Sequence, residues 1–211
     1  MDKIKLGVLV GGTSIEREVS KKSCENLLAN LDENKYDITV YHLPADGNTE
    51  WAKNIISNPP QIVLSALHGG NGENGSIQGF LHCLNIPYIG SKVLSSAICM
   101  NKAMAKTVMK ANHIQIPDHV FVMRGVDFSQ YEESIKLMGF PLIVKPNRGG
   151  SSIGVIVARN MEDIHYGIKN IMENYDDDVL IEKFIDGKEI NCCVLQGENG
   201  PEAMAVLDVK K

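Results

Sequence analysis

Short β-branched runs alternate with segments of helical periodicity along the chain, and this alternation restricts the first part to an α/β domain built on a parallel sheet. "KLGVLV", "DITVYHL" and "QIVLSAL" read as its strands. Between them, "EREVSKKSCENLLANL" spaces Val19, Cys24, Leu27, Leu28 and Leu31 along one helical face, and "EWAKNIIS" supplies a shorter helix. "PYIG" closes this section, and one long helical stretch, "KVLSSAICMNKAMAKTVMKANHI", follows it. The remainder is richer in strands and hairpin signals: "HVFVM", "PLIVKP", "GVIVA", the helix "MEDIHYGIKNIMENY", "DVLIEKFI" and "EINCCVLQ". The change in character puts a domain boundary near residues 91 to 95, and no internal repeat or low-complexity segment interrupts the pattern.

Composition excludes several function classes. With 211 residues, of which 44% are hydrophobic and 22% charged, the chain can bury one large core or two small ones. The net charge of −5 and the absence of any Lys/Arg block longer than a pair rule out a nucleic-acid footprint. Five cysteines, odd in number and without C-x-x-C spacing, argue against a disulfide framework and a zinc site, and read as reduced thiols, mostly core. "MDKIKLGVLVGG" has a signal peptide's outline, but its apolar part is brief and runs into "EREVSKK", so it reads as a first strand. No stretch is long enough to span a membrane, and the expected location is the cytoplasm.

Two glycine-rich segments suit ligands. In "LVGGTSIERE", a strand, a tight turn and a helix start bring backbone N–H groups together where Gly11 and Gly12 permit close approach of an anion. Glu16 has two readings here, because Thr13-Ser14-Ile15-Glu16 also fits a capping box. In "ALHGGNGENGSIQG", Gly70, Gly72 and Gly75 satisfy G-x-G-x-x-G, but no Asp or Glu lies between Glu73 and Asp118 to hold a ribose, so the dinucleotide reading fails. What remains is a mobile loop with His68 at the carboxyl end of a strand, where ligands of open α/β sheets bind and where a structural histidine fits equally.

"KPNRGGSSIG" poses the sharper question. Lys145 ends the apolar run "FPLIV" with no acid beside it, so its desolvation is costly unless an anion lies nearby. A bound phosphate would meet that need, with "RGGSSIG" adding backbone amides and two hydroxyls, although G-x-x-x-x-G-K-[ST] is absent. A hairpin with a flexible tip and a lysine reaching solvent is the competing reading.

Taken in order and spacing, "GGTSIEREVS", "ALHGGNGENGSIQGFL", "MNKAMAK", "IVKPNRGGSSIGV" and "VLIEKFIDGKEI" resemble the D-alanine–D-alanine ligases of the ATP-grasp family across essentially the whole chain. The resemblance implies an α/β chain with a Rossmann-like N-terminal domain over residues 1–93, an α+β central ATP-grasp subdomain over 94–185 and the start of a C-terminal subdomain at 186–211. It also implies a role for each matching residue. Glu16 matches the carboxylate that meets the first D-alanine's ammonium, Ser151 the serine bonded within that network, and His68 an imidazole near the substrate carboxylate. Lys102 and Lys145 match the lysines that hold ATP phosphates, and Ser152 the flexible loop that covers them. In the adenine-binding linker, Glu182 would accept from the exocyclic amine, the backbone of Lys183 and Ile185 would read the ring edge, and Phe184 would pack beside it. Glu189 matches the ribose ligand. Bland readings remain open: Phe184 as plain core, Glu182 and Glu189 as exposed edge positions.

The implied reaction is ATP-dependent joining of two D-alanines through an acyl phosphate, for peptidoglycan precursor synthesis, in an enzyme expected to dimerise through its N-terminal domain. ATP and Mg²⁺ or Mn²⁺ are the implied cofactors, and no metal ligand is assigned within this chain. Family members continue well beyond "AMAVLDVKK", and Glu198, Glu202 and Asp208 are the only acids from residue 190 onward. A truncated polypeptide, a split or decayed gene product and a non-catalytic nucleotide-binding module all account for this, and the 211-residue chain alone is expected to be inactive. A ligase taking D-serine or D-lactate second is the nearest enzymatic alternative.

Overall fold

The computed structural model describes residues 2–209. Its first half is built on β1 (Ile4–Gly11), β2 (Tyr36–Leu43), β3 (Ile62–Ser65) and β4 (Tyr88–Ile89), which form a parallel sheet in the order β2-β1-β3-β4. β1 is central and covered on both faces, so its run from Leu6 to Gly11 is buried without alternation, as a parallel strand requires. Leu6, Val8 and Val10 pack with Cys24 and the apolar stripe of α1 (Arg17–Asn30). Leu9 faces the other way, against Ile55 of α2 (Glu50–Ser57) and Ile77 and Leu81 of α4 (Ser76–Cys83). "ALHGGNGENGSIQG", expected as a mobile loop, instead carries the one-turn α3 (Gly70–Glu73) and the first half of α4.

The expected long helix is two. α5 (Val93–Met100) ends at Asn101, whose side chain then accepts the Met104 N–H at 3.0 Å and caps α6 (Lys102–Ala111). An asparagine that competes for the backbone favours a cap over a helix interior, and here it separates two apolar stripes.

The second half holds β5 (His119–Val122), α7 (Ser129–Met138), β6 (Leu142–Pro146), β7 (Ile156–Ala158), α8 (Met161–Asn174) and β8 (Val179–Lys183). Their antiparallel sheet has the order β5-β8-β6-β7, so β8 and β6 are central. Val122, Ile135, Leu142, Val144, Ile164, Ile171, Val179 and Ile181 are its sealed core. β9 (Ile190–Gly197) and β10 (Gly200–Asp208) form a separate hairpin, exposed along nearly its whole length.

The cysteine expectation needs correcting. All five are free thiols, but only Cys24 is buried; Cys83, Cys99, Cys192 and Cys193 are exposed. No helix among the described residues is long and apolar enough to cross a membrane.

Candidate functional site

β1 ends in two consecutive left-handed glycines, Gly11 at φ 95° and Gly12 at φ 94°, which turn the chain into the approach to α1. A capping box would make Thr13 the cap of α1, with Glu16 reaching back to it. The structure overturns that reading. Glu16 itself precedes the first helical residue, its N–H bonds Ser14 Oγ at 3.1 Å, and no side chain caps the helix. The Glu16 carboxylate is buried beside this helix start and accepts a hydrogen bond from Ser151 Oγ. A Cβ on Gly69, at φ 63°, would collide with Glu16 Oε2 and Ser14 Oγ, so glycine is required where the loop after β3 passes this carboxylate.

His68 sits in that same loop, half-buried. Its Nε2 is 2.8 Å from Ser23 Oγ on α1, and Nδ1 is 3.9 Å from the Glu73 carboxylate. It lines a cavity with Gly11, Gly12 and Ser14, while Glu16 lines a neighbouring one with Gly149, Gly150 and Asp177.

Ser151 and Ser152 belong to the turn after β6. Both take left-handed φ values, 51° and 56°, which non-glycine residues adopt only where surroundings or function demand it. The base of this loop is fixed by Asn147, which is fully buried. Its Oδ1 accepts the Ala103 N–H at 2.9 Å, its Nδ2 donates to Asn101 Oδ1 at 3.0 Å, and its carbonyl accepts the Lys102 N–H at 3.0 Å. Asp177 secures the next residue, accepting the Arg148 N–H at 2.5 Å, and burial raises its carboxyl above the usual range despite those donors.

One of the predicted lysines reaches this loop and the other lies near it. Lys102 Nζ donates to the Gly149 carbonyl at 2.8 Å, and burial, followed by the charge of Lys145, pulls its pKa below the ordinary lysine value. Lys145 is not left unpaired, as its apolar sequence neighbours suggest. Across the sheet it bonds Glu182 Oε1, and Lys106 of α6 lies 2.8 Å from Oε2. Burial alone would raise the Glu182 carboxyl, but Lys106 and Lys145 together outweigh it and hold it below the usual range. Glu182 is therefore no exposed edge acid: it stands on a central strand at 8% exposure.

The other linker residues are less concentrated. The Lys183 side chain donates to the Met138 and Gly139 carbonyls at 2.9 and 3.0 Å, closing the end of α7, and its N–H is taken by the Asp118 carbonyl. Phe184 is half-buried outside the main core, Ile185 is 66% exposed and Glu189 is exposed. Lys106, Asn147 and Asp177 escaped the sequence reading. Lys106 alone carried a usable signal there, since it falls one turn after Lys102 on the same helical face.

A nucleotide fits these groups. An ammonium on the glycine-rich turn and a second one near it suit phosphates, and the buried Glu182 carboxylate has lone pairs beyond those its two lysines take. A divalent metal does not: among the described residues, no three His, Cys, Asp or Glu side chains gather where an ion could sit.

The chain is similar to known proteins. Residues 49–91 match the family description "D-ala D-ala ligase N-terminus" and residues 108–211 match "D-ala D-ala ligase C-terminus". A D-alanine–D-alanine ligase of Bacillus anthracis is 40% identical over 199 residues, 94% of this chain and 63% of the relative.

The chain belongs to the D-alanine–D-alanine ligase family.

Solved structures of the family agree. A B. anthracis ligase complexed with ATP superposes with a TM-score of 0.84 at 35% identity, covering 99% of this chain and 66% of that one. A further B. anthracis ligase structure gives 0.78 at 33% identity, with 71% of that chain covered. A D-Ala:D-Ser ligase from Enterococcus faecalis gives 0.83 at 27% identity, covering 98% of this chain and 70% of that one. The chain thus spans roughly two thirds of its relatives, 63% in the case of the first.

Proposed function

We propose that this chain contributes the first-substrate and nucleotide sites of an ATP-dependent ligase that joins two D-alanines. The observation that carries the reading is the contact between Ser151 and Glu16, which brings the glycine-rich turn onto the start of α1. A carboxylate for an ammonium and two lysines for phosphates are thereby joined through a single loop.

Glu16 would receive the ammonium of the first D-alanine, with Ser151 holding the carboxylate in place and His68 facing the substrate's own carboxylate. Lys102 and Lys145 would hold the phosphates, and Ser152 would cover them. Glu182 would accept from the adenine amine, flanked by Phe184 and the backbone of Lys183 and Ile185, while Glu189 would take the ribose. When bound, ATP supplies the phosphoryl group that turns a poor leaving group on the substrate carboxylate into a good one. The chain's own part is to position anions together, neutralise their charge and keep water away. No metal-ligand role is assigned to these residues. The division at residues 93 and 185 belongs to the same proposal, as do a cytoplasmic location and a dimer formed through the N-terminal domain.

The test joins this chain to the portion of the B. anthracis relative that it does not cover and follows ADP and dipeptide with ATP and D-alanine. D-alanyl-D-alanine formation that depends on Glu16 supports the reading, and D-serine or D-lactate as second substrate is scored in parallel. Absence of D-alanine-dependent ADP release counts against it.

A further inference from the structure

The nucleotide reading gives Lys145 to phosphate and Glu182 to the adenine amine, yet in the free protein these side chains are bonded to each other. If Lys145 turns to phosphate, Glu182 loses that partner inside a site where its side chain is only 10% exposed. A carboxylate stranded there takes up a proton and becomes a poor acceptor. Lys106 prevents this. Its ammonium is 2.8 Å from Glu182 Oε2 and its side chain is 11% exposed, so it is committed to this carboxylate rather than to solvent. A carboxylate oxygen carries two lone pairs, so Oε2 keeps room for a second donor with Lys106 against it. Lys102 is a further charge in reach of Glu182 and Lys145, and Asp177 in turn is in reach of Lys102.

We propose that Lys106 is a positioning residue of the nucleotide site: Glu182 is the resident anion of Lys145 until phosphate displaces it, and Lys106 then keeps Glu182 ionised with its open oxygen available to the adenine amine. The inference rests on the nucleotide reading above and adds to it an exchange of partners and a residue that makes the exchange possible.

The test is calorimetric titration of the 211-residue chain at neutral pH in two buffers of different ionisation enthalpy, with ATP and with inorganic tripolyphosphate as probes. Lys106→Met should weaken ATP by about tenfold while leaving tripolyphosphate within about twofold, because only the adenine contact is lost. The variant should also take up more protons on binding ATP than the native chain does, as Glu182 protonates. Lys106→Arg should restore both. Lys106→Met added to Glu182→Gln should cost no further affinity, and that double variant removes both charges should the single one fail to fold. Equal ATP affinity and equal proton uptake in the native chain and Lys106→Met would overturn the inference while sparing the nucleotide reading. A native chain that binds tripolyphosphate but shows no preference for ATP overturns both.

Discussion

Ser151 Oγ donates to Glu16 Oε1 across 135 residues of sequence, tying the glycine-rich turn to the start of α1. If this carboxylate awaits an ammonium, Glu16→Gln should weaken D-alanine binding by about tenfold or more, because a charged acceptor is lost. The unfolding free energy should change by less than about 1 kcal/mol, since the amide keeps an oxygen for Ser151. Equilibrium binding and urea unfolding on the same variant separate the outcomes: unchanged affinity with a large stability loss would make Glu16 structural.

Lys145→Ala should destabilise the chain. Lys145 is an ion-pair partner of Glu182, and removing it leaves a buried carboxylate with Lys106 alone. A loss of about 1–3 kcal/mol is expected by denaturant titration. Lys145→Met and Glu182→Gln combined should lose less than the two separate effects added, because the pair is removed together.

Glu182 also sets an acid dependence. Its folded-state pKa lies below the ordinary carboxylate value, so its contribution to stability is complete above the unfolded value of about 4.3 and fades as pH falls through the folded one. Melting temperatures of the native chain should therefore drop more steeply below that point than those of Glu182→Gln. Parallel curves would mean that the two lysines do not stabilise the ionised form.

Asn147 fixes both the loop and Lys102 through three groups, its side-chain oxygen, its side-chain nitrogen and its carbonyl. Asn147→Ala strands the half-buried Ala103 N–H and empties a fully buried site, and a cost of about 1–3 kcal/mol follows. Phosphate affinity should fall with it, as the backbone carbonyls that aim Lys102 lose the side-chain bonds that hold their segment in place. Full phosphate affinity in a measurably destabilised variant would separate Asn147 from the site.

What the sequence revealed and what it hid divide along physical lines. α2 occupies "EWAKNIIS" and β1 follows "KLGVLV", because local periodicity and β-branched runs suffice where neighbours merely cover a face. The break at Asn101 lay inside a continuous apolar pattern, and the cap bond to Met104, with Asn147 taking the Lys102 and Ala103 N–H groups, separates α5 from α6. Thr13-Ser14-Ile15-Glu16 satisfied a capping pattern, but the helix starts after Glu16, so register decided against it. The pairing of Lys145 with Glu182 is set by β6 lying beside β8, 37 residues on, which no local pattern encodes. Glu16 and Lys145 stood out by their chemistry, and Lys102 and Ser151 through the family resemblance; Lys106 left only its one-turn spacing from Lys102, and the buried asparagine emerges only from packing.

The central claim is that Lys102, Lys145 and Glu182 form one ATP site in this chain. Titrating ATP into the native 211-residue chain and into Lys145→Ala by calorimetry tests it most directly. Saturable binding at one site per chain, weakened about tenfold or more by the substitution, is the predicted result. No measurable binding by a folded native chain, or equal affinity in the two proteins, would contradict it.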